Sequence, residues 1–171
     1  DSLSIPLYQA VQSGLTQRGG KETALLANWG RSLAGNVLQS YSFSKENRPS
    51  ILQMQTFAAD MAGKYKMNNL APQLEAMVQS AAASDIRSGN DINHDLVILK
   101  AAALRALMKM DTRKGSSVAQ LLLGNDQTDV HFRNEISRVI GEFPGTVANN
   151  ILAGAIKNAP PDLQTNMAVT L

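Results

Sequence analysis

The chain has no cysteine in its 171 residues. That excludes disulfides, thiol catalysis, thiolate zinc sites, iron–sulfur clusters and covalently attached haem, and leaves the compartment open. Aromatic residues are scarce at 5%, so a core must be built from aliphatic and small side chains. No sign of charge dominates. Sixteen basic and 14 acidic residues leave a net charge of +2, too even a balance to argue for nucleic acid or a membrane surface. Unbroken aliphatic runs are as short as Val97-Ile98-Leu99 and Leu121-Leu122-Leu123, far below the ~20 apolar residues of a membrane helix. A secretory leader pattern is missing. So are sustained alternating runs joined by an Asn-Gly or Asp-Gly hairpin turn. Gly-x-Ser-x-Gly does not occur, and there is no phosphate loop or dinucleotide fingerprint.

Helical spacing is present throughout. The first segment carries Leu3, Leu7, Tyr8, Val11 and Leu15 and is broken by Gly19-Gly20. The second, over 22–39, has Leu25, Leu26, Trp29, Leu33 and Val37 on one side. After a loop over 42–47, a third helix begins near Pro49 with Ile51, Met54, Phe57, Ala58 and Met61. A fourth begins near Asn69 with Leu70, Leu74, Met77, Val78 and Ala81. Residues 84–90 read as a connection. Asn90 is then expected to cap the longest helix, over 91–110. The apolar stripe of that helix is Ile92, Leu96, Leu99, Ala103, Leu107 and Met110. A second strip of Val97, Leu104 and Met108 predicts burial on two sides and a central place. Ser116 or Ser117 is expected to cap a short helix with Val118, Leu121 and Leu122. Further helices are predicted over 128–143, stopped by Pro144-Gly145, over 146–157, and from Pro161 onward.

Helices starting near residues 3, 49, 91, 129 and 161, joined by short loops, predict antiparallel neighbours. The expected fold is all-α: an irregular α-solenoid of helical hairpins, with a closed helical bundle as the alternative. The chain starts at Asp1 and Leu171 interrupts a helical pattern. We therefore expect one all-helical domain over 1–171, taken from a longer polypeptide. An apolar strip of Leu163, Met167, Val169 and Leu171 is expected to lie exposed on the last helix, because an end repeat needs a polar cap.

The stretch 126–141, with Asp129, Val130, Arg133, Ile136, Val139 and Ile140, resembles the helix signature of HEAT repeats. The opening recurs 33 residues later, Asp162 matching Asp129, Leu163 matching Val130 and Val169 matching Ile136. The run from Phe132 to the end also resembles helical segments of large extracytoplasmic bacterial proteins. In those, a sugar-dehydrogenase-like propeller and a cytochrome c domain share the chain. That resemblance implies a spacer with no catalytic role and an extracytoplasmic location.

Three side-chain groups are candidates for chemistry. Asp91, His94 and Asp95 have the i, i+3, i+4 spacing that gathers ligands on one helix face. A polar first turn facing the helix dipole accounts for the same residues, and no metal is expected. Arg105, Lys109 and Arg113 recur every four residues, with Lys114 adjacent. They form a ridge that could hold a phosphate, a carboxylate or an acidic partner, or pair with Asp91, Asp95 or acids on the next hairpin. Lys100 falls on the apolar side, where its stem is expected to pass the core edge and keep the amine in water. Trp29 reads as core, and the scattered methionines as gap-fillers. The expected function is a non-catalytic module for protein interaction or for spacing domains of the same chain, with no cofactor and no nucleic acid. The alternative is a small-ligand-binding or hydrolytic bundle with a polar site near Asp91, His94 and Lys100.

Overall fold

The structure is a computed structural model that describes residues 3–40, 49–79, 86–88, 91–143, 145–157 and 159–170. Its helices are α1 (Ser4–Gln17), α2 (Ala24–Ser40), α3 (Pro49–Lys64), α4 (Ala71–Gln79, entered through a 3-10 turn at Asn68–Leu70), α5 (His94–Met110), α6 (Thr112–Leu123), α7 (Val130–Gly141), α8 (Thr146–Ile156) and α9 (Pro161–Thr170). Helices start at Pro49 and Pro161 as the sequence predicts. The loop over 42–47, Asn90, Pro144 and Leu171 lie outside the described residues. No helix among those described is long and apolar enough to cross a membrane.

The start of α5 differs from the expectation. Arg87–Ser88 and Asp91–Ile92 pair antiparallel, with Arg87 opposite Ile92 and Ser88 opposite Asp91. The Asn93 N–H donates to Ile86 O at 2.8 Å and closes this small ladder. The helix therefore begins three residues later than predicted. Asn93 is its cap, its side chain accepting from the Leu96 N–H at 3.1 Å. Similarly, α6 is capped by Asp111, not by Ser116 or Ser117. The Asp111 carboxylate accepts from the Lys114 N–H at 3.0 Å, while extended backbone at Asp111 separates α5 from α6. An acid one residue past Met110 satisfies a free N–H at once, so the helix starts at Thr112, well before the start a serine cap at Ser116 or Ser117 would allow. Ser116 is then buried mid-helix.

Helix α5 is central. Both apolar strips read from its sequence are buried except for the half-buried ends Ile92 and Met110, with Leu99 and Leu104 fully enclosed and Leu107 and Met108 at 1% exposure. It packs on α3, α4, α6 and α7. Among the described residues, substantial packing is confined to helices that are adjacent or next-but-one in the order α1 to α9. Helices α3, α5, α7 and α9 follow one another side by side, and α4, α6 and α8 do the same. These two series also share a register. In α3, α5, α7 and α9 the third residue is buried (Ile51, Leu96, Phe132, Leu163) and so is the seventh (Gln55, Lys100, Ile136, Met167).

That register corrects two expectations about the last helix. Leu163 is equivalent to Phe132 rather than to Val130, and Met167 is equivalent to Ile136. Val169, matched to Ile136 by sequence, is 84% exposed. The offset is 31 residues, not 33, because Pro161 starts α9 just before Asp162, whereas Asp129 stands outside α7 as its cap. The apolar strip is accordingly not exposed as a whole: Leu163 and Met167 are fully buried where α9 packs on α7 and α8. The exposed stripe lies at the other end. Helix α1 packs substantially on α2 alone and buries only Ile5 and Tyr8. Leu3, Leu7 and Val11, expected in the core, are 80%, 58% and 41% exposed. Leu25 and Leu121 are likewise exposed rather than buried. Each stands on the flank of a helix that lacks a neighbour on that side.

Candidate functional site

The basic ridge is divided. Arg105 and Lys109 stand on α5, but Arg113 belongs to α6, beyond the extended Asp111 that ends the α5 spiral. Arg105 is already committed. Its Nε and Nη2 donate to the two carboxylate oxygens of Glu142, just past α7, at 2.6 and 2.7 Å. This bidentate geometry is the strongest an arginine offers a carboxylate, and it pushes the guanidinium pKa above its ordinary value. Lys114 pairs with Glu75 of α4 at 2.6 Å. Arg105 thus pairs with an acid on the next hairpin, one of the pairings expected, whereas Lys114 reaches the earlier α4. Lys109 and Arg113 are exposed.

Asp91, His94 and Asp95 do not share a helical turn, because Asp91 lies in the short ladder before α5. Among the described residues no three of His, Asp and Glu are grouped as a metal ion would need. Lys100 does not join them. It is wholly buried, contrary to the expected snorkelling, and its Nζ donates to Met77 O at 3.0 Å. Met77 lies in the last turn of α4, where carbonyls have no helical partner and the dipole is negative. The amine thus satisfies the end of a helix from inside the core. Local spacing cannot reveal this, since the partner is 23 residues away.

A second polar cluster joins α1 to α3. The Tyr8 and Tyr65 hydroxyls are 2.7 Å apart, Tyr65 donates to Glu22 Oε1 at 2.7 Å, and Lys64 Nζ donates to the same oxygen at 2.7 Å. Trp29 and Phe57 meet the Tyr8 ring edge-on at 5.4 and 5.6 Å. Burial, followed by the hydrogen bonds with Tyr8 and Glu22, pushes the Tyr65 phenol well above its ordinary pKa. The hydrogen bond from Lys64 holds the Glu22 carboxyl below its ordinary value. Tyr8 was read as an apolar-stripe residue. Its ring does fill the core, but its hydroxyl anchors this network.

A polar cleft of about 350 Å³ lies between α1, α3 and α5. Helix α1 contributes Gln9 and Gln12. Helix α3 contributes Gln53, Thr56 and Asp60 at the wall, with Phe57 and Met61 beneath. Helix α5 contributes Asp95 and Ile98. Asp60 is the distinctive group. Burial pushes its pKa up, opposed by the positive charges of Arg105 and Lys109. No sequence motif marks the cleft, because its lining comes from three helices about forty residues apart. Asp95, at its α5 edge, was the one lining carboxylate singled out by spacing.

The two shifted carboxyls should act on stability with opposite signs. Glu22 has a folded pKa below its ordinary 4.5, so it stabilises above that pH, and the gain fades as pH falls through the lowered value. Asp60 has a folded pKa above its ordinary 3.8, so its charge is a cost at neutral pH that vanishes as pH falls below 3.8. At pH 7 Glu22→Gln should therefore melt lower than the native chain, and Asp60→Asn at or above it. Both differences should shrink on acidification. Thermal melts between pH 3 and 7 check this, and a lower melting temperature for Asp60→Asn at pH 7 would contradict it.

Comparison of the chain with protein-family models, with curated proteins and with solved structures finds no match.

Proposed function

We propose that this chain is a non-catalytic helical-repeat module that binds a protein partner or spaces neighbouring domains, built as a solenoid rather than a closed bundle. The observation that carries the reading is the packing order. Among the described residues, helices associate substantially only with their first and second neighbours, and nothing comparable joins α1 and α2 to the last four helices. Neighbour-only contact is the defining property of stacked repeats. The common register of α3, α5, α7 and α9 supports the same reading, as does the exposed stripe of Leu3, Leu7 and Val11 at one end. The competing polar site near Asp91, His94 and Lys100 loses its support, since the Lys100 amine is enclosed against the end of α4.

Small-angle X-ray scattering tests the architecture. A compact domain of this length has a radius of gyration of about 16 Å. The stack should exceed that value and give an asymmetric distance distribution, whereas a closed bundle should match it. The interaction role is tested by Leu7→Glu combined with Val11→Glu. Both side chains are exposed, so the melting temperature should hold while capture of a partner is lost. Unchanged capture would remove the stripe as a contact face.

A further inference from the structure

We propose that the cleft between α1, α3 and α5 binds an alkylammonium group, the charged nitrogen lying between Asp60 and Asp95 and the alkyl body resting against Phe57, Met61 and Ile98. Three features of the cleft carry the inference. The first is its charge. Two carboxylates line it, and none of its lining residues is Lys, Arg or His. From the lining itself an anion would meet acidic groups alone, while a cation meets two carboxyl groups. The cations nearest Asp60 do not occupy the place. Arg105 is held bidentately by Glu142, and Lys109 is an exposed residue of α5 outside the lining. Glu142 adds to the negative field at Asp60.

The second feature is unused hydrogen-bonding capacity. Asp60 and Asp95 accept no hydrogen bond from the described residues, although neither is fully exposed. A partly desolvated carboxylate gains more from an ammonium donor than a solvated one does. The third feature is the shape of the apolar part. Ile98 is 54% exposed at the rim, while Phe57 and Met61 are almost buried beneath it. An alkyl chain running from the carboxylates would cover the exposed flank of Ile98, and the Phe57 ring suits a neighbouring cation. A volume of about 350 Å³ accommodates a side-chain-sized ligand. The nitrogen can belong to a free amine or to a lysine side chain of another protein. The chemistry is common to both sources, and the inference does not depend on the repeat-module reading.

Two-dimensional amide NMR on the whole chain at pH 7 tests it. Hexylamine and N-acetyl-lysine methylamide serve as ammonium probes, with hexanol as the neutral control. Saturable shifts are expected at Gln12, Gln53, Thr56 and Ile98, with hexanol much weaker. Asp60→Asn or Asp95→Asn should weaken binding by about tenfold, as for loss of one charge-assisted hydrogen bond. A response to hexylamine alone supports the site with a free amine as its ligand. A response to the lysine derivative as well supports it with a partner's lysine. Native-like spectra of the two variants separate lost binding from lost folding. The proposal is overturned if neither amine gives saturable shifts, if the shifts map elsewhere, if hexanol binds equally, or if both variants bind as the native chain does.

Discussion

Leu104→Ala should lower stability by about 2–5 kcal/mol, the range for removing a fully enclosed leucine side chain. At this chain length that is a fall of about 2–4 °C in melting temperature for each kcal/mol. Leu104 has no exposed surface, and α5 is packed by α3, α4, α6 and α7. Removing its side chain opens a space inside the core. Leu99→Ala and Leu107→Ala, on the neighbouring strip, should fall in the same range, whereas Ile98→Ala, half-exposed one residue away from Leu99, should cost much less. Chemical denaturation of the four variants checks the ordering. An Ile98→Ala loss equal to that of Leu104→Ala would mean that α5 is not enclosed in this orientation.

Gly115→Ala and Gly35→Ala should have opposite signs, although both place alanine inside a helix. Alanine gains about 0.5–1 kcal/mol over glycine in such a position. At Gly35 no atom lies within 4 Å of an added Cβ, so that gain should appear in full. At Gly115 the added Cβ would lie 2.5 Å from Met108 Cγ, 2.8 Å from Met108 N and 2.9 Å from its Cα. Two of these atoms are backbone and cannot rotate away, so α5 and α6 would have to separate. Overpacking of this kind costs about 1–3 kcal/mol and outweighs the propensity gain. Melts of the two variants are sufficient to check the contrast. A Gly115→Ala variant as stable as Gly35→Ala would show that the two helices cross less closely than described.

The centre of the molecule is legible in the chain. Leu96, Leu99, Leu104 and Leu107 follow the helical period so fully that two buried sides of α5 could be inferred, and the pairing of the basic ridge with acids on a later hairpin was foreseen in kind. The ends were read less well. Leu3, Leu7 and Val11 have the same spacing as a buried stripe, yet α1 has one substantial neighbour and turns Ile5 and Tyr8 inward instead. Periodicity records which side chains share a face, while the number of neighbouring helices decides whether that face is covered. The candidate site was almost illegible. Asp95 was noticed for its spacing from Asp91, but Asp60, Gln12 and Gln53 carry no local signature. The polar contacts that matter span 57 residues for Tyr8 with Tyr65 and 37 for Arg105 with Glu142.

The amino-acid sequence by itself determined the helical class of this protein, most of its helix boundaries and the central position of α5. These depend on short-range quantities: apolar period, capping side chains, and proline and glycine as starts and stops. The caps were misplaced, Asn93 standing where Asn90 was expected and Asp111 where Ser116 or Ser117 was, because the short ladder before α5 and the extended Asp111 set those boundaries. Only the tertiary structure decided which polar groups are enclosed. Lys100 occupies the same inward position in α5 that Ile136 and Met167 occupy in α7 and α9, and what makes a buried amine tolerable there is the Met77 carbonyl at the end of α4. The cleft is likewise a product of how α1, α3 and α5 meet. Its charge and shape arise from residues that become neighbours only after the helices have packed, so they leave no period in the chain.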